Sequence, residues 1–452
     1  MARLIALLAR CALASSPGPG PPLPAACQAA VDALCASDCF PHIKARPCDG
    51  PLLGRLDAGK AGAKMAGWKC YSPSTLDPAT RTAYVTGTCY CSRDAQIAAV
   101  LVATPGCPAP APPPPPPPVF NGSTPVFYPG LNGSQCFRIP TITKTAAGTL
   151  LAFAENRKGG CGDDGSHDLV LRRSADDGAT WGPLLTVRRG AVPCPGCPAA
   201  VSNPNPIEVT LADGTSRAVL LHYDTMNNPS ASRHGLDEQL WSFDDGRTWG
   251  NASVLAYPPL ANVGTMIGPS TGIQAASGAI YFVAHGGASG NFLYWSRDFG
   301  GTWTPSAVFT ETGNECSIAF LVSPADGRII MNCRTSLHKR LQLLWGADGV
   351  RIGNATYPAG LVDAGCQGSI ANVGGVLLTS NAASAKGRQQ MTVKRSADQG
   401  GTWSHGTVVW AGPSGYSQLV DLHGARPGAV GLLFEAGRKA YTETISYVNV
   451  AV

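Results

Sequence analysis

Charged residues are scarce in this 452-residue chain: Asp, Glu, Lys and Arg make up 14% of it, whereas 44% is hydrophobic. The net charge is +5 and the basic residues form no stripe, so nothing in the sequence favours nucleic-acid binding. No apolar run reaches the roughly 18 residues of a membrane-spanning helix, so we expect no membrane span. The length and the hydrophobic content are sufficient for about two or three domains with a sizeable core.

Long amphipathic helices are also missing from residues 120–452, where short alternating apolar runs are separated by Gly, Pro and Asn turns. An eight-residue motif, Ser-x-Asp-x-Gly-x-Thr-Trp, recurs instead, and we call it the Asp box. Its four copies start at Ser174, Ser242, Ser296 and Ser396, and residues 345–353 hold a degenerate further copy. A period of about 50 residues is typical of propellers and other repeat arrays.

The Asp box has the composition of a tight turn. Asp accepts hydrogen bonds from the backbone N–H groups that follow it, Gly supplies a left-handed position, and Trp packs into the adjacent core. Each copy follows an alternating apolar run, so we place it in a hairpin between antiparallel strands and interpret it as scaffold rather than site. A period of about 55 residues predicts an all-β propeller of six four-stranded blades over residues 120–452. Residues 119–130 and 447–452 are the candidates for closing the ring.

Residues 1–119 divide into three regions. Residues 1–26 resemble a secretory signal, residues 27–107 are predicted to form a disulfide-rich accessory domain, and residues 108–119 form a polyproline linker. A zinc site in the second region is disfavoured because paired C-x2-C spacings are missing. Asn-x-Ser/Thr sequons occur at Asn121, Asn132, Asn251 and Asn354. With 16 cysteines in all, these features predict a secreted or lumenal glycoprotein.

The hairpin of residues 137–157 bears two arginines. Its turn lies at residues 146–148, and counting outward from it places Arg138 opposite Arg157, on the same side of the ladder. Two opposed positive charges destabilise a sheet unless an anion joins them. The pair therefore predicts a carboxylate or phosphate site.

A second hairpin, residues 314–334, places opposite charges across its ladder. Its turn lies at residues 324–327, so Glu315 faces Arg334, and Cys316 faces Cys333 on the other side. Taken alone, the charged pair is explained by a structural salt bridge.

FRIP at residues 137–140, with the four Asp boxes behind it, resembles the exo-α-sialidase (neuraminidase) family. The segments LLAFAENR, NECSIAF and MNCR are similar to family segments and occur in the family's order. The resemblance covers residues 120–452 and leaves residues 1–119 outside. It implies a six-bladed propeller and a glycoside hydrolase that removes terminal sialic acid from glycoproteins, glycolipids and oligosaccharides, without a metal or cofactor.

The resemblance implies three arginines that bind the carboxylate of sialic acid: Arg138, Arg334 and Arg388. Guanidinium groups suit this task because they stay charged and bind carboxylates with two parallel hydrogen bonds. For Arg388, the nearby alternative is Lys386. The resemblance further implies that Glu435 holds Arg138 in place and that Arg157 lines the same pocket.

The catalytic roles implied by the resemblance fall on three residues. Asp163 is the acid/base, with the adjacent Asp164 as the alternative, and Tyr416 is the nucleophile whose proton passes to Glu315. The reacting carbon of sialic acid carries a carboxylate, which repels an anionic Asp or Glu nucleophile. A phenol is neutral and is not repelled, but it needs a base beside it. Two displacements at one carbon retain its configuration.

Four cysteines of the larger region are predicted to form bridges. Cys136 and Cys161 flank the ends of the first hairpin, and a disulfide between them braces this hairpin against the Gly-rich loop that follows. Cys194 and Cys197, in the segment CPGC, favour a tight local disulfide or loop staple over zinc, because no second pair accompanies them.

The sequence is also compatible with three alternatives to a hydrolytic sialidase. The first is a trans-sialidase, which passes the same covalent intermediate to a sugar instead of water. The second is a lectin-like propeller that binds sialic acid without cleaving it; the presence of a nucleophile, its base, an acid and three arginines counts against it. The third is an unrelated Asp-box scaffold for protein partners, which does not account for FRIP.

Overall fold

The structure is a computed structural model that describes residues 119–190, 198–228, 233–260, 265–286, 290–311, 313–422 and 426–452, with the backbone of residues 64–65 and 68–69. The chain divides into two compact units, Met1–Pro115 and Pro116–Val452. In the first unit, β1 (Lys64–Met65) pairs with β2 (Trp68–Lys69) in an antiparallel hairpin. The predicted signal, the bridges of the disulfide-rich region, the linker up to residue 118, and the Cys194 and Cys197 pair lie outside the described residues.

The regular secondary structure in the described part of the second unit is β-strand, apart from one 3-10 turn at Leu131–Gly133. The first strands in chain order are β3 (Thr124–Phe127), β4 (Cys136–Lys144), β5 (Leu150–Arg157), β6 (His167–Ser174), β7 (Leu185–Arg188), β8 (Ala200–Thr210), β9 (Arg217–Asn228), β10 (Arg233–Ser242) and β11 (Ser253–Val254). No helix among the described residues has the length and apolar character of a membrane span.

The chain continues with fifteen further strands. They are β12 (Met266–Ile267), β13 (Ile273–Gln274), β14 (Ile280–His285), β15 (Phe292–Ser296), β16 (Thr304–Pro305), β17 (Cys316–Phe320), β18 (Ile329–Cys333), β19 (Leu341–Trp345), β20 (Arg351–Thr356), β21 (Ser369–Val373), β22 (Val376–Ala382), β23 (Gln389–Ser396), β24 (Thr407–Val420), β25 (Ala429–Ala436) and β26 (Thr444–Ala451).

All paired strands are antiparallel, and within each sheet most strands pair with the next strand of the chain. Strands β4–β7, β8–β11 and β17–β20 form four-stranded sheets, and β12 and β13 both pair with β14, which is followed by β15 and β16. Strands β21–β26 and β3 form one seven-stranded sheet, in which the first part of the long strand β24 pairs with β23 and its last part with β25. This regular up-and-down order confirms the all-β prediction.

The ends of the second unit meet in one sheet. Strand β26 pairs with β3, so that Ile445 lies opposite Phe127 and Tyr447 opposite Thr124. The predicted closure between the start and the end of this unit is therefore confirmed. The number of six blades stays a prediction, because β24 is shared by two groups of strands and the pairing alone does not separate them.

The core lies between neighbouring groups of strands. Along β5, Leu151 and Phe153 pack against the group of β8–β11, whereas Leu150, Ala152 and Ala154 pack against β25 and β26 on the other face. Successive side chains of a strand point to opposite faces, so a strand that is covered on both faces is apolar at every position. This explains the continuous apolar runs of the sequence.

The Asp boxes are turns between the third and fourth strands of a group. In the first box, the Ser174 hydroxyl accepts a hydrogen bond from the Gly178 N–H at 2.9 Å, and Asp176 accepts one from the Thr180 N–H at 2.9 Å. Gly178 has a φ of 86°, as the motif requires. The same two bonds recur in the boxes that start at Ser242, Ser296 and Ser396. The interpretation of the box as scaffold agrees with these contacts.

Candidate active site

The residues predicted to act on substrate lie at one end of the strand groups. Because neighbouring strands are antiparallel, the first strand of a group begins at this end, the second strand ends there, and the third begins there. Arg138 lies near the start of β4 and Glu315 directly before β17, whereas Arg334 follows β18 and Arg388 precedes β23. The Asp boxes follow the third strands and lie at the other end, about 20 Å away at 3.3 Å per residue.

Tyr416, in β24, lies at the centre of these residues and is 5% exposed. Its hydroxyl donates a short hydrogen bond to Glu315 Oε1. Arg334 Nη1 donates to Glu315 Oε2 at 2.7 Å and to the Tyr416 hydroxyl at 3.3 Å. Burial, together with the charge of Glu315, raises the pKa of Tyr416 well above that of a free phenol, although Arg334 acts in the opposite direction. The phenol is therefore neutral and has a carboxylate base in direct contact.

Glu435, in β25, is fully buried and holds three groups of the site. Its Oε1 accepts hydrogen bonds from Arg138 Nε at 2.6 Å and from the Ile139 N–H at 3.1 Å, and its Oε2 accepts one from the Tyr416 N–H at 2.9 Å. Burial alone lowers the pKa of Arg138, but the charge of Glu435 outweighs it and raises this pKa above its ordinary value. The structure thus places Glu435 in contact with Arg138, as the resemblance implies.

The predicted register of the first hairpin is wrong. Arg138 lies opposite Glu155, and Arg157 lies opposite Cys136. A β-bulge directly after Arg138 shifts the ladder, and Ile139 within it has a φ of 59°, in the left-handed region. Arg138 and Arg157 therefore do not face each other across the sheet, and their positions in the ladder do not require an anion between them.

Arg157 connects Asp163 to the sheet. Arg157 is 3% exposed, and its Nε donates to Glu155 Oε2 at 2.8 Å while its Nη1 donates to Asp163 Oδ1 at 2.7 Å. Its Nη1 also donates to two backbone carbonyls of the same loop. Arg138 Nη1 lies 3.9 Å from Asp163 Oδ1, and the Asp163 side chain is 75% exposed. Asp163 is therefore accessible to a ligand that lies above the two arginines.

Arg388 lies beside Arg138, between two tyrosine rings. The guanidinium carbon of Arg388 is 5.4 Å from the ring centroid of Tyr416 and 4.9 Å from that of Tyr441. For Arg138 the two distances are 5.2 and 5.1 Å. The structure thus brings all three predicted arginines to Tyr416. Lys386, the alternative to Arg388, is exposed to solvent.

Two disulfides lie beside the candidate catalytic residues. The predicted disulfide between Cys136 and Cys161 is confirmed, and it joins the strand that contains FRIP to the loop before Asp163. Cys316 and Cys333, which face each other as predicted, form a second disulfide directly beside the Glu315 and Arg334 positions. Among the described residues, no three His, Cys, Asp or Glu side chains are grouped so as to hold a metal ion.

Arg340 is a fully buried arginine that sequence reasoning missed. It donates to the carbonyl of Cys366 at 2.7 Å and to Asp363 Oδ2 at 3.3 Å. Gln367, in the same loop, accepts a hydrogen bond through its Oε1 from the backbone N–H of Ser417, directly after Tyr416, at 2.9 Å. Arg340 therefore supports the chain beneath Tyr416. No local pattern signals this role, because the arginine and its carboxylate partner are 23 residues apart in the chain.

Comparison with known proteins identifies the family. Residues 140–431 match the BNR repeat-like domain family. A sialidase of Micromonospora viridifaciens is 29% identical over 350 residues, which cover 68% of this chain and 51% of that protein. An exo-alpha-sialidase of Aspergillus fumigatus is 28% identical over 305 residues, which cover 59% of this chain and 69% of that protein. The chain belongs to the BNR repeat-like domain family, and its sialidase relatives confirm the resemblance to exo-α-sialidases based on FRIP and the Asp boxes.

Solved structures share the fold. The Hadza microbial sialidase Hz136 matches with a TM-score of 0.61 and 22% identity, over 73% of this chain and 68% of that one. At this identity the likeness establishes the architecture and no more. The chain spans about half the length, 51%, of the Micromonospora sialidase.

Proposed function

We propose that the protein is an exo-α-sialidase that hydrolyses terminal sialic acid from glycoproteins, glycolipids and oligosaccharides with retention of configuration. The observation that carries the proposal is the contact between the Tyr416 hydroxyl and Glu315, beside Arg334. A neutral phenol with a carboxylate base, surrounded by arginines, matches a substrate whose reacting carbon bears a carboxylate. Membership of the sialidase family supports the same reaction.

The first displacement forms a covalent intermediate. The three arginines around Tyr416 bind the substrate carboxylate. The Tyr416 oxygen then attacks the anomeric carbon while its proton passes to Glu315, and the bond from that carbon to the aglycone oxygen breaks. Asp163 gives its proton to the aglycone oxygen, so the aglycone leaves as an alcohol.

The second displacement releases the sugar. Asp163, now ionised, takes a proton from a water molecule whose oxygen attacks the same carbon, and the bond to the Tyr416 oxygen breaks. Glu315 returns its proton to that oxygen, so the enzyme regains its starting state. If a sugar hydroxyl replaces the water, the same step is a trans-sialylation.

The proposal is tested with the full-length chain and a fluorogenic aryl α-sialoside, with proton NMR of the released sialic acid. We expect hydrolysis in which the α-anomer appears first and mutarotates later. If the β-anomer appeared first, the mechanism of two successive displacements would be excluded. Binding of free sialic acid without hydrolysis would indicate a lectin-like propeller, and transfer to added lactose in preference to water would indicate a trans-sialidase.

We also propose that the protein is secreted or lumenal and glycosylated. The two disulfides of the described residues support an oxidising compartment. The four sequon asparagines are exposed, as attachment of a glycan requires: Asn121, Asn132, Asn251 and Asn354. Protein from a eukaryotic secretory host should gain mobility in electrophoresis after treatment with an N-glycanase, and unchanged mobility would contradict glycosylation.

The pH dependence of activity should respond to Arg157. Burial acts to raise the pKa of Asp163, but the charge and hydrogen bond of Arg157 outweigh it and hold this pKa below its usual range. As an acid Asp163 must be protonated, so kcat/KM falls as pH rises through this pKa. Arg157 also pairs with the buried carboxylate of Glu155. The double variant Glu155→Gln with Arg157→Gln should therefore raise the pKa of Asp163 without leaving the Glu155 carboxylate buried and unpaired. We expect the falling limb of the kcat/KM profile to move to higher pH.

The matched control for this experiment neutralises an ion pair at the other end of the strands. Glu208 and Arg217 are 3.6 Å apart, and their double replacement by glutamine also removes one charge of each sign. This control should leave the limb in place. If the falling limb of the kcat/KM profile also stays at the wild-type pH in the double variant of Glu155 and Arg157, the assignment of the acid to Asp163 is contradicted.

Removing the disulfide between Cys136 and Cys161 should weaken acid catalysis. The double serine variant loses a cross-link over 25 residues, worth about 3 kcal/mol of unfolding free energy. It also frees the loop of Asp163, whose proton matters more for a sugar leaving group than for a good aryl leaving group. We expect the rate on 3′-sialyllactose to fall about tenfold more than the rate on the aryl sialoside.

The second disulfide supplies the comparison for this experiment. A double serine variant of Cys316 and Cys333 loosens Glu315 rather than Asp163, so the two substrates should lose activity to a similar extent. Equal losses on both substrates in the first variant would mean that its disulfide does not position the acid.

A further inference from the structure

Tyr441 contacts two of the carboxylate-binding arginines and has no role in the proposed mechanism. It lies in the turn between β25 and β26, and its ring centroid is 4.9 Å from the guanidinium carbon of Arg388 and 5.1 Å from that of Arg138. The nucleophile Tyr416 approaches the same two groups at 5.4 and 5.2 Å. Each guanidinium therefore lies within the attractive range of two aromatic rings.

The place of the Tyr441 ring is determined by the turn that bears it. The carboxylate of Glu443 accepts hydrogen bonds from three backbone N–H groups of this turn. The donors are residues 438, 439 and 440, at 2.9, 2.7 and 2.9 Å. Burial acts to raise the pKa of Glu443, but these N–H groups outweigh it and lower this pKa. At Gly415, a Cβ atom would lie 2.9 Å from Tyr441 Cδ2, so the ring packs closely beneath the chain that leads to Tyr416. The ring is therefore held in place from two sides.

Arg388 differs from the other arginines of the site in its partners. Arg138 pairs with Glu435, and Arg334 pairs with Glu315. Within the described residues, no carboxylate lies within 4.0 Å of the Arg388 guanidinium. An arginine without an acidic partner keeps its full charge for a ligand, but a partly buried charge needs another source of stabilisation. The faces of the two tyrosines supply it.

We propose that Tyr441 is a positioning residue of the carboxylate-binding site. Its ring, together with that of Tyr416, orients Arg388 and Arg138 toward the substrate carboxylate and stabilises the charge of Arg388 without neutralising it. The inference rests on the proposed function, since it assigns the ligand of these arginines as the carboxylate of a sialic acid. It extends that function to a residue that does not touch the reacting atoms.

The expected consequence is a loss of affinity with little change in turnover. The substrate carboxylate is bound equally in the ground state and the transition state. Weaker binding of this carboxylate by the arginines therefore raises KM and leaves kcat nearly unchanged. Replacing the ring by an aliphatic side chain, Tyr441→Leu, removes two cation–π contacts and should raise KM and the dissociation constant about tenfold. Tyr441→Phe keeps the ring and should restore both to within about twofold of wild type.

The experiment measures binding and turnover separately in the full-length chain. Isothermal titration calorimetry with N-acetylneuraminic acid and with its 2,3-unsaturated glycal gives dissociation constants, and the aryl sialoside gives kcat and KM. Tyr441→Gln is a second variant without a ring, in case leucine impairs folding. Phe243→Leu, on the second Asp box at the other end of the strands and 70% exposed, is the control for loss of an aromatic ring.

Each outcome separates this inference from the proposed function. Wild type that binds both ligands, with unchanged affinity in the Leu and Gln variants, overturns the inference alone. A tenfold loss in both variants, with recovery in the Phe variant, supports it even if wild type binds without cleaving. Wild type that neither binds nor cleaves overturns both proposals. A fall in kcat with unchanged KM would mean that Tyr441 acts on the chemical step instead.

Discussion

Tyr416→Phe is expected to lower kcat for sialoside hydrolysis by about 10³-fold or more, with little change in KM. The variant lacks the oxygen that attacks the anomeric carbon, while the ring still packs against Arg138 and Arg388. Glu315 keeps its contact with Arg334, so the carboxylate is not left unpaired. Binding of the substrate carboxylate should therefore survive, and the loss should appear in turnover.

The stereochemistry of any residual activity gives a sharper test of the role of Tyr416. Tyr416→Ala removes the ring and leaves room for water beside Glu315. Water that is activated by this carboxylate attacks the face that the phenol attacks in wild type, and a single displacement inverts the configuration. We expect the slow product of the alanine variant to be the β-anomer, seen by proton NMR before mutarotation.

The control for both variants is Tyr281→Phe. The Tyr281 hydroxyl also donates a hydrogen bond, to the Ala347 carbonyl at 2.8 Å, but it does so at the end of the strands where the Asp boxes lie. Its loss should leave kcat unchanged. If Tyr416→Phe kept wild-type kcat, or if the alanine variant retained the α-anomer, the nucleophile would have to be another group.

The features that were predicted correctly have signals that are local in the chain. The Asp box is one such feature, because the hydrogen bonds that define it join residues at most four apart, such as Ser174 and Gly178. The facing of Cys316 and Cys333 is another, because a short turn determines the register of a regular hairpin. The closure of β26 with β3 followed from the requirement that a ring of strands leaves no free edge.

The features that were missed depend on distant parts of the chain. Counting residues outward from the turn of the first hairpin could not reveal the bulge after Arg138. This bulge is stabilised by a hydrogen bond from the Ile139 N–H to Glu435, which is 296 residues away in the chain. Tyr441 lies in the turn between β25 and β26, whereas Arg388 lies in the connection between β22 and β23. Tyr441 belongs to no sequence motif that would indicate this contact. Such pairs are determined by how the strand groups pack around the site, which periodicity and propensity do not describe.

Glu435→Gln should destabilise the protein and the active site together. The change removes the buried carboxylate partner of Arg138, which is 4% exposed, and leaves only the largely exposed carboxylate of Asp163, 3.9 Å away. Breaking one partner of a buried ion pair typically costs about 3–5 kcal/mol. At about 2 °C per kcal/mol for a domain of this size, the melting temperature should fall by about 6–10 °C. The Ile139 and Tyr416 amides also lose a charged acceptor, so we expect kcat/KM to fall by about 10²-fold or more.

The double variant Arg138→Gln with Glu435→Gln distinguishes the two effects. It removes both charges, so no buried ion is left unpaired, and most of the lost unfolding free energy should return. Activity should not return, because the carboxylate of the substrate has lost one of its arginines. Glu208→Gln, which removes a carboxylate from a partly exposed ion pair, should change stability by less than about 1 kcal/mol. Equal melting temperatures for the single and the double variant would mean that Glu435 stabilises the fold through the Ile139 and Tyr416 amides rather than through the charge of Arg138.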